Sequence, residues 1–555
     1  MKKRSTLLAL ATVTVLAATT ALLPSALATG SHGKPGGDQS GRGGTLDLTL
    51  LGRYESGRYD EGGAEITAYD SRTRRVFTVN AQAGTVDILD IRDPAEPRGT
   101  GQLATPGANS VSVHDGLVAV AQQAGTKTDR GTVAFFRASD GHKLEEVRVG
   151  ALPDMVTFTP KGDRVVVANE GEPDSYCPPG GTAPAGTDPV GSVGVIDLDR
   201  GRGGELRRAT ARTAGFGKWD GKKEELTREG VLIYGPNASV SQDIEPEYVA
   251  VSQDGRTAWV TLQENNALAL VDLRRAEVHK IVPLGEKDHS EPGNGLDASD
   301  KDGGVNIRTW PVEGLYKPDA IHAFTARGGS GGGSGGAEYT VSANEGDARD
   351  WGCFAEEVRV EDVELNPKAF PDAAALQKGD ALGRLNITST SPRDSRGRVT
   401  ELNSLGGRSV SVRDARGRLV WDSGDGLEQL TAKAFPRNFN TDHAVNAPDS
   451  RSDNKGPEPE GITTGTVRGT TYAFVGLERP GGIAAYDLSD PRHPKPAGYV
   501  NSRDFAGDPQ AGTAGDLGPE GVLFVAAKDS PTGDALLVVG NEVSGTTAIY
   551  RVGSA

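Results

Sequence analysis

Cysteine is nearly absent from this chain: two residues in 555, beside two methionines and five tryptophans. So few thiols exclude a small disulfide-stapled module and any zinc site built from cysteines alone. Basic residues are outnumbered, 60 Lys+Arg against 76 Asp+Glu for a net charge of −16, so the electrostatic footprint of a nucleic-acid or anionic-lipid binder is missing. Beyond the N-terminus no apolar run approaches the ~18 residues that would read as a membrane span. His-Glu-x-x-His, Gly-x-Ser-x-Gly, P-loop and dinucleotide fingerprints are all lacking, so the corresponding enzyme classes have no local signature. Glycine is what the chain has in quantity: 76 residues, with 32 prolines, punctuation for many short elements.

The first residues set the expected compartment. Lys2-Lys3-Arg4, an apolar stretch from Leu7 to Leu23, and Ala26-Leu27-Ala28 form the three regions of a secretory signal peptide over 1–28. Residues 29–45 are too polar to pack and are expected as a flexible leader. The C-terminal residues from Ile549 to Ala555 carry no hydrophobic tail, so a secreted, extracellular protein with no transmembrane segment is expected, and a monomer. In that oxidising setting the two cysteines matter. Cys177 and Cys353 follow Asn169-Glu170-Gly171 and Asn344-Glu345-Gly346 at similar intervals, which favours a Cys177–Cys353 disulfide over two unpaired thiols.

A repeat organises the rest. Seven times a turn carrying an acid or amide opens a short apolar strand, a second apolar strand ends in a polar pair, and a third strand usually closes near an aspartate. Representative second strands are Val76 to Asn80, Val165 to Glu170, Ala258 to Gln263 and Ala535 to Glu542. Period-2, β-rich segments bounded by Gly, Asp and Pro, recurring every ~40–50 residues, signal propeller blades that stack to share a core. The expected fold class is all-β: a seven-bladed β-propeller over 46–555 with long loop insertions at 200–243, 286–317, 328–336, 351–400 and 423–456. Leu46 to Tyr54 is expected to close the ring by pairing with the last repeat, which removes a sheet edge. Lys218 to Arg228 reads as helical, and Gly328 to Gly336 as a flexible tether.

The openings carry the candidate chemistry. If the seven first strands line the axis, Glu65, Asp154, Glu247, Asp319, Glu460 and Glu520 meet at one mouth, with Asn109 in the seventh place. Hard oxygen ligands without thiolates favour Ca2+ or Mg2+. Turn chemistry offers an equally simple account, because acids at strand starts often only accept turn N–H groups. Glu170, Glu345, Glu478 and Glu542, at the ends of second strands, are expected farther out on the same face, as ligand-binding residues. Arg451 and Lys455 would either neutralise these acids or hold a phosphate oxygen. Asp300 and Asp302, alternating around glycine, form a second, weaker cation candidate, with a solvated loop as the alternative.

Five phrases in order carry a family resemblance: Asp243-Ile244-Glu245-Pro246-Glu247-Tyr248, Lys287 to Asp300, Leu315 to Ile321, Ser342 to Asp350 and Arg451 to Gly461. Together they resemble the choice-of-anchor I family of secreted bacterial proteins, itself similar to animal mesenchyme-specific cell surface glycoproteins. The resemblance implies an extracellular β-propeller whose members differ in how they attach, some bearing an alkaline phosphatase label. The Glu-Pro-Glu-Gly phrase is similar, more distantly, to calcium-dependent propeller phytases. Two functions follow as expectations. One is a secreted propeller binding calcium and an unknown extracellular ligand or cell-envelope component at its acidic mouth; the other is a calcium-dependent phosphoester hydrolase.

Overall fold

Strands rich in Val, Ile, Leu and Ala dominate the chain, and their burial follows their order within each sheet. The computed structural model describes residues 45–60, 62–176, 188–326 and 336–554. The expected signal peptide, most of the expected leader, Cys177 and the Gly/Ser run up to 335 therefore lie outside the described residues. Second strands such as Leu117–Gln122 and Ala535–Asn541 are buried along their whole length, so they read as unbroken apolar runs instead of alternating ones. Fourth strands such as Arg98–Ala104 face water on nearly every residue.

Among the described residues seven four-stranded antiparallel sheets result, each a meander from an inner first strand to an outer fourth. The first strands are Thr67–Asp70, Ala108–His114, Pro153–Phe158, Val249–Val251, Ile321–Ala326, Pro459–Val467 and Pro519–Val525. Each contacts the next in that order, and Pro519–Val525 contacts Thr67–Asp70. Meanders that face one another through their first strands are β-propeller architecture. The seventh sheet takes its outer strand from the other end of the chain: Leu46–Glu55 pairs antiparallel with Thr546–Ser554, from Leu46 opposite Ser554 to Glu55 opposite Thr546. Apolar clusters lie between neighbouring sheets, for example Phe77, Val79, Val118 and Val120 between the first two.

Two expectations about the insertions need correcting. Leu206–Gly215, placed in the insertion 200–243, is the outer strand of the third sheet, and the helical segments Gly217–Lys222 and Lys223–Glu229 come after it. The insertions 286–317 and 351–400 are not simply loops. With Asn403–Ser404, just beyond the second of them, they form an eighth, five-stranded sheet in the order Glu286–Asp288, Glu313–Leu315, Asn403–Ser404, Asn386–Thr388, Glu357–Arg359, with Glu313–Leu315 parallel to Asn403–Ser404. This sheet has its own core, including Leu296, Trp310, Phe370, Leu382 and Ile387. Arg408 ties that unit to the fifth sheet: its guanidinium donates to the Asp297 carbonyl and to Glu428 Oε1, both at 2.7 Å, with all three residues buried.

Candidate functional site

The Pro-acid-Gly phrases are explained by how closely the first strands approach. A Cβ on Gly461 would lie 1.7 Å from the Glu520 carbonyl oxygen, and one on Gly521 would lie 2.6 Å from the Glu65 carbonyl oxygen. Glycine lets adjacent sheets touch at their inner ends, and the acid before it is carried to the same place. Asp154, Glu247, Asp319, Glu460 and Glu520 all line one cavity of about 290 Å³. Asn109 lines it too and donates from Nδ2 to the Pro153 carbonyl at 3.1 Å, a neutral bridge between the second and third sheets. Glu65 is not part of this wall, but the charges of Glu542 and Asp154 act on it.

Turn chemistry does not occupy these acids. Asp70 and Asp272, at ordinary turns, accept backbone N–H groups at 2.9 Å. Among the described residues none of the six opening carboxylates accepts a hydrogen bond or forms an ion pair, and Glu460 Oε2 and Glu520 Oε2 are buried without any partner. Burial therefore raises their proton affinity, and neighbouring acids add to it. Glu65 is pushed up to about 8, by burial, Glu542 and Asp154. Asp154 reaches about 7, by burial and Glu172. Glu247, Asp319, Glu460 and Glu520 are held well above the usual carboxylate range by burial, then chiefly by Glu170, Glu345, Glu478 and Glu65 respectively.

The second-strand ends join the openings. Asp154, Glu170 and Glu247 each bring an oxygen within 4.8 Å of the others, and so do Asp319, Glu345 and Glu460. Glu478 and Glu542 form a further group with His443. Beside the mouth lies a basic belt in which the expected cations Arg451 and Lys455 surround Glu458 together with Arg479, a residue that sequence reasoning missed. Arg451 approaches Glu458 Oε1 at 2.6 Å, Arg479 approaches Oε2 at 2.7 Å and Lys455 lies 3.6 Å from it. Burial opposes ionisation of Glu458, but Lys455, Arg479 and Arg451 outweigh it and hold the carboxyl far below its ordinary range. Lys455 also pairs with Glu345 at 2.7 Å and Asp347 at 3.1 Å. The available signal was the doubled Pro457-Glu458-Pro459-Glu460, in which one acid is neutralised and the other is not.

The remaining candidates lie elsewhere. Asp300 pairs with Lys301 and, at 3.1 Å, with Arg384, while Asp302 accepts from Asn306 Nδ2 at 2.7 Å; neither belongs to the acid groups just described. Cys353 is disulfide-bonded, and its loop meets the one before Cys177: the Tyr176 N–H donates to the Trp351 carbonyl at 3.0 Å, and Tyr176 packs edge-on against Phe354. Among the described residues no helix is long and apolar enough to cross a membrane.

Against known proteins, residues 65–491 match the family model described as a choice-of-anchor I domain. Gigasin-3a of Magallana gigas is 31% identical over 193 residues, which cover 32% of this chain and 67% of that protein. The mesenchyme-specific cell surface glycoprotein of Strongylocentrotus purpuratus is 28% identical over 292 residues, 46% of this chain but only 36% of that protein. Among solved structures, hydrazine synthase of Kuenenia stuttgartiensis aligns over 90% of this chain and 98% of its own at 13% identity and a TM-score of 0.43. A streptogramin B lyase aligns over 92% and 98% at 9% identity and a TM-score of 0.41.

Proposed function

The chain belongs to the choice-of-anchor I family, and on that footing we propose that it is an extracellular, seven-bladed β-propeller closed by its Leu46–Glu55 strand. In this reading the acidic mouth binds a divalent cation, calcium, and presents it to an extracellular ligand or a cell-envelope component. The observation that carries the reading is the gathering, in one cavity, of opening carboxylates from five different sheets with no hydrogen-bond or ion-pair partner among the described residues. Ionised acids in such surroundings are unfavourable unless a positive charge joins them. All-oxygen donors suit calcium or magnesium better than softer metals, and a mouth of several carboxylates offers the six to eight oxygens calcium takes.

The hydrolase alternative has less support. Arg451, Lys455 and Arg479 are each already paired with carboxylates, so none is a free clamp for phosphate. Thermal melting of the mature protein in calcium, magnesium and chelator tests the cation reading. Calcium at 100 times its dissociation constant should stabilise the fold by about 2.7 kcal/mol over the chelated protein. Superimposable melting curves in all three conditions would refute it. Turnover of p-nitrophenyl phosphate or phytate in calcium would shift the reading to hydrolysis.

A further inference from the structure

Two of the acid groups at the mouth are built to one plan. Asp154 and Asp319 each follow a proline at the opening of a sheet. Glu170 and Glu345 each sit in an Asn-Glu-Gly at the end of the second strand of that same sheet. Glu247 and Glu460 each follow a proline at the opening of the next sheet. In both trios the three carboxylates bring an oxygen within 4.8 Å of one another. The motif therefore makes one trio between the third and fourth sheets and a copy between the fifth and sixth.

The copies differ by a lysine. In the second trio Lys455 Nζ sits 2.7 Å from Glu345 Oε1, and Gln263 Nε2 donates to Glu345 Oε2 at 2.9 Å, so both oxygens of that carboxylate are taken. In the first trio the neighbouring lysine stops one acid short. Lys127 Nζ lies 3.2 Å from Glu172 Oε2 and 3.7 Å from the Trp351 ring centroid. Glu172 stands two residues after Glu170, as Asp347 stands two after Glu345. Glu170 is 8% exposed, and among the described residues its carboxylate accepts no hydrogen bond and forms no ion pair. The contrast lies in one position: Glu170 has no donor where Glu345 has two, while Glu460 Oε2 in the second trio is itself buried without a partner.

We propose that Asp154, Glu170 and Glu247 form the one resident site for a calcium-class cation, and that the Lys455 ammonium, paired with Glu345, Asp347 and Glu458, acts as a tethered cation that takes the Glu345 ligand away from the equivalent trio Asp319, Glu345 and Glu460. This rests on the mouth being a cation site and adds which residues bind and how many ions. Three carboxylates supply up to about six oxygens, with water completing the shell. Removing the lysine would free Glu345 Oε1 and restore the second copy.

Calorimetric titration of calcium into the chelator-stripped mature protein tests this with matched variants, Glu170→Gln, Glu345→Gln and Lys455→Met. Each Gln change is isosteric and removes one charge from one trio, and melting in chelator verifies the fold; Asp154→Asn replaces Glu170→Gln should the latter not fold. The expected wild-type stoichiometry is one, lost in Glu170→Gln, kept in Glu345→Gln and raised to two in Lys455→Met. Binding that survives Glu170→Gln, or that Glu345→Gln abolishes, overturns the assignment while leaving the cation reading intact. A stoichiometry of one in Lys455→Met overturns the role given to the lysine. Absence of any calcium heat in the wild type removes the cation reading itself.

Discussion

Raising the pH should destabilise the cation-free protein across a range where most proteins are indifferent. Glu65 has an ordinary value of 4.5 and about 8 in the fold, raised by burial, Glu542 and Asp154. The folded state thus holds a proton that the unfolded chain has released, so stability is greatest below the unfolded value and falls as pH rises toward the folded one. Two histidines act oppositely at lower pH: desolvation brings the half-buried His322 down to about 4 and holds the buried His289 well below 6.5, so both take stability away as pH falls below 6.5. Between pH 6.5 and 8 the acids act alone among these groups. Glu65 by itself gives a slope of about −1.4 kcal/mol per pH unit, so the window removes about 2 kcal/mol. Asp154, Glu264 and Glu542, each raised to about 7, steepen its lower half, but coupled like charges do not add in full. Denaturant titrations in chelator at half-unit pH steps would measure the slope, and calcium should flatten it by compensating the ionised acids. A chelated protein whose stability is constant or rising from pH 6.5 to 8 would refute the reasoning.

Two further outcomes follow from the packing. Gly461→Ala places a methyl group where the Glu520 carbonyl oxygen would be 1.7 Å away, so the sixth and seventh sheets must part; chemical denaturation should show a loss of about 1–3 kcal/mol. Lys317 and Glu356 are fully buried and joined at 2.8 Å. Lys317→Met alone should cost about 3–5 kcal/mol by leaving the glutamate uncompensated, and adding Glu356→Gln should recover part of the loss; equal stability of the single variant and the wild type would contradict this.

The first and second strands of the seven sheets and several third strands were legible because their residues alternate or run apolar and stop at Gly, Pro and Asp. Lys218 to Arg228 was legible as helix for the same local reason. The outer strand Leu206–Gly215 was not: its sequence LRRATARTAG mixes Arg and Thr with small apolar residues, so the alanines that touch the core, Ala209 and Ala214, set no clear period. The five-stranded sheet was hidden for a different reason. Its strands are two or three residues long and come from segments separated by up to about a hundred residues, too short to carry a period and too distant to show pairing. At the mouth the opening acids could be read from the repeat, whereas Glu458, Arg479 and His443 stood next to named residues without repeating and went unread.

The sequence by itself determined the strands, the recurrence of an acid at their openings and the glycines that let those openings meet, since each is fixed by neighbours along the chain. Only the tertiary structure decided which of those acids acquire a partner. Charge compensation depends on distances of about 3 Å, and whether Lys455 reaches Glu345 while Lys127 stops at Glu172 is set by the packing of sheets far apart in sequence.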